Sequence, residues 1–257
     1  MNVRQWLRKL LGMIPSEAPN TTETDLEDTD FLVALRELSW YIKDKKVVEG
    51  KAIGWQSSHV FQQTFPMVHQ LLSRARVTEL EIDEYPYRLY AWDTKTDATC
   101  GWLCRMEKDI DTDLPLIEEH LLFCDEVGGL EESWDEFDEL ESTDGYSIAM
   151  NFMFTVSRCS AGMGSFEEPY LLACTQQGLT PLPYYEELIT FAKEGNGDRR
   201  TYAPATGNVL LLLHDTDLEY VTPVPDQPED SFYTVNGVAH FCDFVENLAR
   251  QWSFIIV

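Results

Sequence analysis

The most constraining part of this sequence lies near its C-terminal end, between residues 201 and 252. Pro204 and the triplet 206–208 (Thr-Gly-Asn) have turn chemistry, because proline fixes φ and glycine or asparagine accepts positive φ. The apolar run 209–213 (Val-Leu-Leu-Leu-Leu) follows directly. Its short length after a turn predicts a strand that is covered on both faces.

The rest of this part predicts two further strands and a helix. Residues 221–224 form one extended piece, and residues 231–235 form a second that runs into Asn236-Gly237, a strong turn signal. Apolar residues then recur at three and four positions, the spacing of one helical face. They are Phe241, Phe244, Val245, Leu248 and Trp252. We therefore expect a sheet closed by a C-terminal amphipathic helix.

Upstream, the sequence predicts a mixture of helices and strands. In the first half we expect a helix from Asp30 to about 42, a short strand at 51–55, a helix at 61–76 disturbed at Pro66, and strands at 80–92 broken at Pro86. Further on we expect a helix at 111–127 with Pro115 in its first turn and Leu116, Leu121 and Leu122 buried, a flexible connection at 159–165, a strand at 170–173, and a short helix at 183–192.

The 257 residues, 44% of them hydrophobic, suit one large domain with an appended arm. We expect the domain to span residues 30–257. Residues 1–14 alternate apolar and basic side chains, which argues against a signal-peptide core or a membrane span. They could form a short amphipathic helix, either as an interfacial anchor or docked on the acidic body. Residues 15–29 belong to an acidic linker without apolar periodicity.

Charge narrows the choice of partners. Lys and Arg total 19 against 45 Asp and Glu, a formal net charge of -26. Such a chain is repelled by nucleic-acid phosphates and by anionic lipid, so we expect neither nucleic acid nor a membrane as a direct partner. A basic protein partner is the natural inference, and the alternative is that acidity only maintains solubility.

A dense acidic and aromatic run at 131–141 is the most informative feature outside the C-terminal unit. Closely spaced carboxylates repel one another, so they imply a cation, a basic partner or free solvation. Their spacing does not match a calcium loop, and no pair stands out for glycoside cleavage. The run could be a solvated loop or helix face. As a partner-binding surface it would use Glu131, Glu132, Trp134, Asp135, Glu136 and Phe137.

The sequence contains no recognisable catalytic motif. Cys100 and Cys104 lack a second pair of metal ligands at a suitable spacing, and we interpret all six cysteines as reduced residues of a cytoplasmic protein. No nucleophile elbow or complete glycine-rich nucleotide loop occurs. His214-Asp215 is the one adjacent base-and-acid pair worth testing for a hydrolase. We therefore predict a protein without enzymatic activity, cofactor or metal.

Several short motifs follow one another in order within residues 110–252. They are 116–122 (Leu-Ile-Glu-Glu-His-Leu-Leu) before Gly128-Gly129-Leu130, Tyr184-Tyr185 before 191–197, 206–211 with His214-Asp215, and 241–246. Together they resemble the SUKH superfamily, which also contains the fungal cell-wall-assembly regulators. The resemblance implies an α+β domain with a curved, mostly antiparallel sheet packed against helices.

The same resemblance implies a function. Many bacterial members of that superfamily are immunity proteins, which neutralise toxins, often nucleases, by binding them. Nuclease domains tend to be basic, which agrees with the charge of this chain. We therefore expect an acidic binding protein that occludes a basic toxin domain. The alternative is a regulatory or scaffold protein of the same fold that engages a host protein through residues 1–29. Arg199, Arg200 and the N-terminal extension depart from the family pattern.

Overall fold

The computed structural model describes residues 42, 44–95, 99–107, 112–134, 154–193, 197–213 and 221–257. The arm expected at 1–29 and the helix expected from Asp30 lie outside these ranges. Within them, helices and two antiparallel sheets are present. The α+β class is therefore confirmed, whereas the sequence predicts one sheet and the chain forms two.

The first sheet has five strands in the order β1-β2-β3-β4-β5, each antiparallel to its neighbour. Helices α1 and α2 connect β1 to β2, and α3 connects β4 to β5. These elements are β1 Val47–Ile53, α1 His59–Thr64, α2 Pro66–Leu72, β2 Arg76–Ile82, β3 Tyr85–Asp93, β4 Thr99–Arg105, α3 Glu118–Glu126 and β5 Gly129–Trp134.

The second sheet has six strands in the order β10-β11-β9-β8-β7-β6. Its strands are β6 Ser160–Ala161, β7 Ile189–Lys193, β8 Arg199–Tyr202, β9 Val209–Leu212, β10 Val221–Pro223 and β11 Phe232–Val235. Helix α4 Glu167–Gln177 lies between β6 and β7 in sequence, and helix α5 Phe241–Ile255 follows β11. Short 3₁₀ turns occur at Val156–Arg158, Gly164–Phe166 and Tyr185–Glu187.

A single large apolar cluster joins the two sheets and helix α5. It contains Trp92 and Trp102 of the first sheet, Leu211 of the second, and Phe244 and Trp252 of α5. The ring centroids of Trp252 lie 5.6 Å from those of Trp92 and 5.5 Å from those of Trp102. Burial of aromatic side chains of this size supplies a large apolar contribution to stability. Helix α5 thus fastens the first sheet to the second.

The predictions for the C-terminal part are confirmed. All four residues of β9 are buried, with Val209 and Leu211 in the large cluster and Leu210 and Leu212 in a second cluster on the opposite face. The five periodic residues of α5 that the sequence identifies are all buried. The predicted break at Pro66 is also confirmed, because α1 ends at Thr64 and α2 begins with this proline.

Two upstream predictions need adjustment. The strands between 76 and 93 are divided at Asp83 and Glu84, which have positive φ values of 50° and 71°, and not at Pro86. Pro86 is the second residue of β3, where its fixed φ is tolerated. The helix expected at 111–127 begins only at Glu118, so Pro115 precedes it, and Leu121 is exposed. Its buried face is formed by His120, Phe123 and Cys124.

Two predictions between 159 and 192 are wrong, and a third needs adjustment. Residues 170–173 belong to helix α4, which begins with two glutamates and ends at Gly178 with φ of 67°. The segment 183–192 is a 3₁₀ turn followed by strand β7, because Ile189, Thr190 and Phe191 favour extended backbone. The connection at 159–165 contains the short strand β6.

Candidate functional site

The first four residues of the acidic run that the sequence identifies, 131–134, belong to strand β5 and not to a solvated loop or helix face. Glu131 and Glu132 are only 1% and 3% exposed. Both therefore face the protein and do not offer the open partner surface that the sequence predicts. Trp134 is the last residue of β5, while Asp135, Glu136 and Phe137 lie outside the described residues. A partner contact through those three stays a prediction.

Strand β5 carries an irregularity at the buried Glu131. Leu103 of β4 pairs with Glu132, whereas Cys104 pairs with Leu130, so Glu131 is the extra residue of a bulge. Its Oε2 lies 3.2 Å from Nη2 of Arg158, and its Oε1 lies 4.0 Å from Nη1 of Arg105. Both distances are those of ion pairs. Among the described residues, neither Glu131 carboxylate oxygen accepts a hydrogen bond. The two guanidinium groups offset the burial of the Glu131 charge.

A second carboxylate holds the segment that carries Arg158. Glu107 accepts hydrogen bonds from the backbone N–H of Val156 at 2.6 Å and of Ser157 at 3.3 Å, and from the Ser157 hydroxyl. Phe154 N–H donates to the Leu130 carbonyl at 3.0 Å. The segment 154–158 lies beside β5 and continues into β6 of the second sheet. We therefore give the name sheet junction to Arg105, Glu107, Glu131 and Arg158.

Strand β5 and the segment at 154–155 approach each other so closely that a glycine is required at position 129. A Cβ added to Gly129 would lie 2.5 Å from Cα of Thr155, which is backbone and cannot move aside cheaply. The absence of a side chain on Gly129 therefore lets the segment at 154–155 lie against β5.

His120 reinforces the same region from inside the core. One ring nitrogen, Nδ1, lies 3.2 Å from the Tyr202 hydroxyl, and Nε2 lies 3.2 Å from the Phe154 carbonyl. The ring centroid of Phe241 is 4.9 Å away. Burial lowers the pKa of His120 to about 4. The imidazole is therefore neutral near pH 7, and its hydrogen bonds tie α3 to Tyr202 of β8 and to the Phe154 carbonyl.

An exposed acidic surface does occur, but on helix α4. A shallow cavity of about 550 Å³ runs along this helix, and we name it the α4 groove. Leu172 in the groove is 56% exposed, and Glu167 and Glu168 stand one helical turn before it. The lining residues are Gly164, Glu167, Glu168, Leu171, Leu172 and Thr175.

The 3₁₀ turn at Tyr185–Glu187 lies close to Glu167 of this helix. The backbone oxygen of Glu186 and Oε2 of Glu167 both lie within 4 Å of the Cβ position that Gly162 lacks. Glu186 and its neighbour Glu187 are exposed. The sequence predictions miss this surface, because the apolar run 170–173 predicts a strand. The pattern Glu-Glu-Pro before it and Gly178 after it are helix start and stop signals that could have identified α4.

The described residues contain few candidates for catalysis. The Ser57 hydroxyl lies 3.0 Å from Nδ1 of His69, whose ring packs 5.8 Å from that of Trp55. In the described ranges, no three His, Cys, Asp or Glu residues are grouped so that they could hold a metal ion. His214 and Asp215 lie outside those ranges.

The cysteines behave as the sequence predicts for reduced residues. All six are free, and four of them are buried. Burial raises the pKa of the Cys104 and Cys124 thiols, and it raises the pKa of Cys159 to about 12. Thiols of this kind are poor nucleophiles near pH 7.

Comparisons with known proteins give no relative. No family model matches the chain, and no curated protein or solved structure matches it significantly. Among the helices that the structure describes, none is long and apolar enough to cross a membrane.

Proposed function

We propose that this chain is a non-catalytic, cytoplasmic binding protein of the immunity type, which neutralises a basic toxin domain by occluding it. The observation that carries this proposal is the α4 groove, where the exposed Leu172 lies beside Glu167 and Glu168. An apolar anchor next to carboxylates suits a partner surface that combines a hydrophobic side chain with lysine or arginine.

The charge of the whole chain supports the same kind of partner. A net charge of -26 attracts a basic protein from a distance and raises the rate of encounter. Such attraction is screened by salt, with a Debye length of about 10 Å at 0.1 M ionic strength. We therefore expect capture of the partner to weaken as salt rises.

Two further observations are compatible with the proposal. The order of motifs in residues 110–252 resembles the SUKH superfamily, which supplies the toxin-neutralising class. The six free cysteines are compatible with a reducing compartment. The predicted acidic residues Asp135 and Glu136, together with Phe137, would extend the contact surface if they face the same partner.

The experiment uses the full-length protein as bait in a lysate of its native organism at low and moderately high salt. We expect capture of a small basic protein that inhibits growth when it is produced alone and is harmless when the bait is co-produced. The double variant Leu172→Ser/Glu168→Gln should weaken the purified complex by about tenfold or more.

A matched control changes an apolar and an acidic residue elsewhere on the surface. Val60 is 59% exposed and Glu81 is exposed, so Val60→Ser/Glu81→Gln should leave binding within about twofold of wild type. Equal effects of the two double variants would show that the α4 groove is not the contact. A partner without toxicity, lost on deletion of residues 1–29, would favour the regulatory alternative.

A further inference from the structure

The α4 groove offers exposed apolar surface next to carboxylates. Leu172 is 56% exposed, and Leu171 lines the same groove. Glu167 is partly exposed and Glu168 is exposed. Among the described residues, neither of these two carboxylates forms an ion pair. The groove therefore suits an occupant that combines apolar side chains with positive charge.

The exposed Phe254 near the end of α5 has a different environment. It is 63% exposed, but Arg250 precedes it by one helical turn, and its carbonyl accepts a hydrogen bond from Nζ of Lys95 at 2.7 Å. The α4 groove also has a cation at its Gly164 end, which is Arg199, but its two carboxylates outnumber that charge. A basic apolar segment is therefore attracted to the groove and repelled from the surroundings of Phe254.

Residues 1–14 of this chain have the complementary chemistry. They lie outside the described ranges, and their sequence contains three basic residues and no acidic one, so the rest of the chain carries a formal charge of -29. Apolar residues recur at the spacing of one helical face, with Arg4 and Arg8 opposite. These apolar residues are Trp6, Leu7, Leu10, Leu11 and Ile14. A helix this short is marginal in water, so its apolar face needs a surface on which to pack.

The length of chain between this segment and the sheets permits the contact. The chain reaches the first sheet at Ile42, which is buried in one cluster with Leu80 and Leu103. Residues 15–29 alone span up to about 50 Å when extended, whereas a folded domain of this size has a radius of gyration of about 17 Å. A tether of this length is long enough to reach α4. It gives residues 1–14 an effective concentration on the order of 1 mM.

We propose that residues 1–14 dock in the α4 groove as a short helix whose apolar face packs on Leu172. The long arginine side chains bend toward Glu167 and Glu168 at the groove. Exposed ion pairs contribute less than about 1 kcal/mol each, so the contact is readily reversible. Only its consequence rests on the proposed function: residues 1–14 occupy the surface that a basic toxin domain would contact, and they leave before that partner binds.

Hydrogen–deuterium exchange of the full-length protein tests the docking without any partner. At low salt we expect the amides of residues 2–14 to exchange about tenfold or more slowly than those of a synthetic peptide of the same sequence. The difference should shrink in about 0.5 M sodium chloride, which screens the ion pairs. Exchange at the rate of the peptide would overturn the proposal. Protection that develops only after addition of vesicles of phosphatidylserine and phosphatidylcholine would also overturn it, in favour of a lipid surface.

Two double variants assign the contact to the groove. Leu172→Ser/Glu168→Gln should return the exchange of residues 2–14 to within about twofold of the peptide. The matched control is Leu121→Ser/Asp125→Asn on α3, where Leu121 is 46% exposed and Asp125 is exposed one turn later. It removes the same side-chain chemistry outside the α4 groove and should retain the protection of wild type. Equal exchange in the two variants would refute the assignment.

Competition with the partner is measured separately on the purified complex. Trp6→Ser/Arg8→Gln weakens the docked helix, so it should tighten partner binding by about fivefold or more. Unchanged affinity, with residues 1–14 protected in wild type, would place the partner on another surface and contradict the proposed contact at α4 alone. Unprotected residues 1–14 would contradict the docking alone, whatever the affinity for the partner.

Discussion

The sheet junction and the α4 groove both contain closely placed acidic residues, yet they use them in opposite ways. At the junction, Glu131 has no exposed side-chain surface and lies between Arg158 and Arg105. In the groove, Glu168 is exposed beside an exposed leucine. A carboxylate buried with cations organises the fold, whereas a carboxylate in water remains available for a partner. Density of acidic residues along the sequence does not distinguish these two roles.

The strongest test of this comparison removes the cation closest to Glu131. Among the described residues, Arg158→Met leaves the fully buried Glu131 carboxylate with Arg105 at 4.0 Å as its one remaining cation, and we expect it to lower the free energy of unfolding by about 3–5 kcal/mol in urea denaturation. The double variant Glu131→Leu/Arg158→Met should recover most of that loss. Arg74, an exposed arginine, provides the control Arg74→Met, and an equal cost for both arginines would refute the structural role of the pair.

Acid should weaken the same region through His120. Its pKa is lowered from 6.5 to about 4 by burial, so between these pH values the unfolded chain binds a proton that the native imidazole does not. Stability contributed by neutral His120 is therefore fully present above pH 6.5 and is lost as pH falls toward 4. The loss amounts to about 3 kcal/mol at most.

The variant His120→Gln isolates this contribution. The glutamine side chain does not reproduce the hydrogen bonds of His120, so the absolute stabilities of the variant and the wild type are not compared. The comparison uses the slope of the free energy of unfolding against pH, measured by urea denaturation between pH 7 and pH 4. We expect a shallower slope in His120→Gln than in wild type. Parallel slopes would show that protonation of His120 does not contribute to acid unfolding.

The smallest effect is expected in the α4 groove. Glu168→Gln removes a favourable interaction with the helix N-terminus and also relieves repulsion from nearby carboxylates, so the free energy of unfolding should change by less than about 0.5 kcal/mol. Denaturation at low and high salt measures it. A loss above about 1 kcal/mol would mean that this carboxylate is held by a partner within the protein, and the contrast with Glu131 would disappear.

Sequence patterns succeeded where local periodicity and burial coincide. An apolar run after a turn predicts strand β9, and apolar residues at helical spacing predict α5. In both elements the residues that become buried are neighbours in sequence, so the pattern can be recognised without knowledge of the fold. The strand predicted for Tyr170-Leu171-Leu172-Ala173 is wrong, because a short apolar run is equally compatible with a strand and a helix. In the structure it belongs to α4, where Tyr170 is buried and Leu172 is exposed.

The acidic site shows the other limit. Nothing near Glu131 in sequence reveals Arg105 or Arg158, which approach only when β4 and the segment after Phe154 lie on either side of β5. The pairing of Lys193 with Arg199 likewise depends on the register between β7 and β8.

Composition and neighbouring residues are sufficient to predict the α+β class, the C-terminal strands and helix, the free cysteines and the strong negative charge. The division into two sheets, the burial of Glu131 and Glu132, and the position of the open carboxylates on α4 become evident only in the folded chain. The burial and counter-charges that surround a charged group are supplied by residues distant in sequence, and no local pattern contains them.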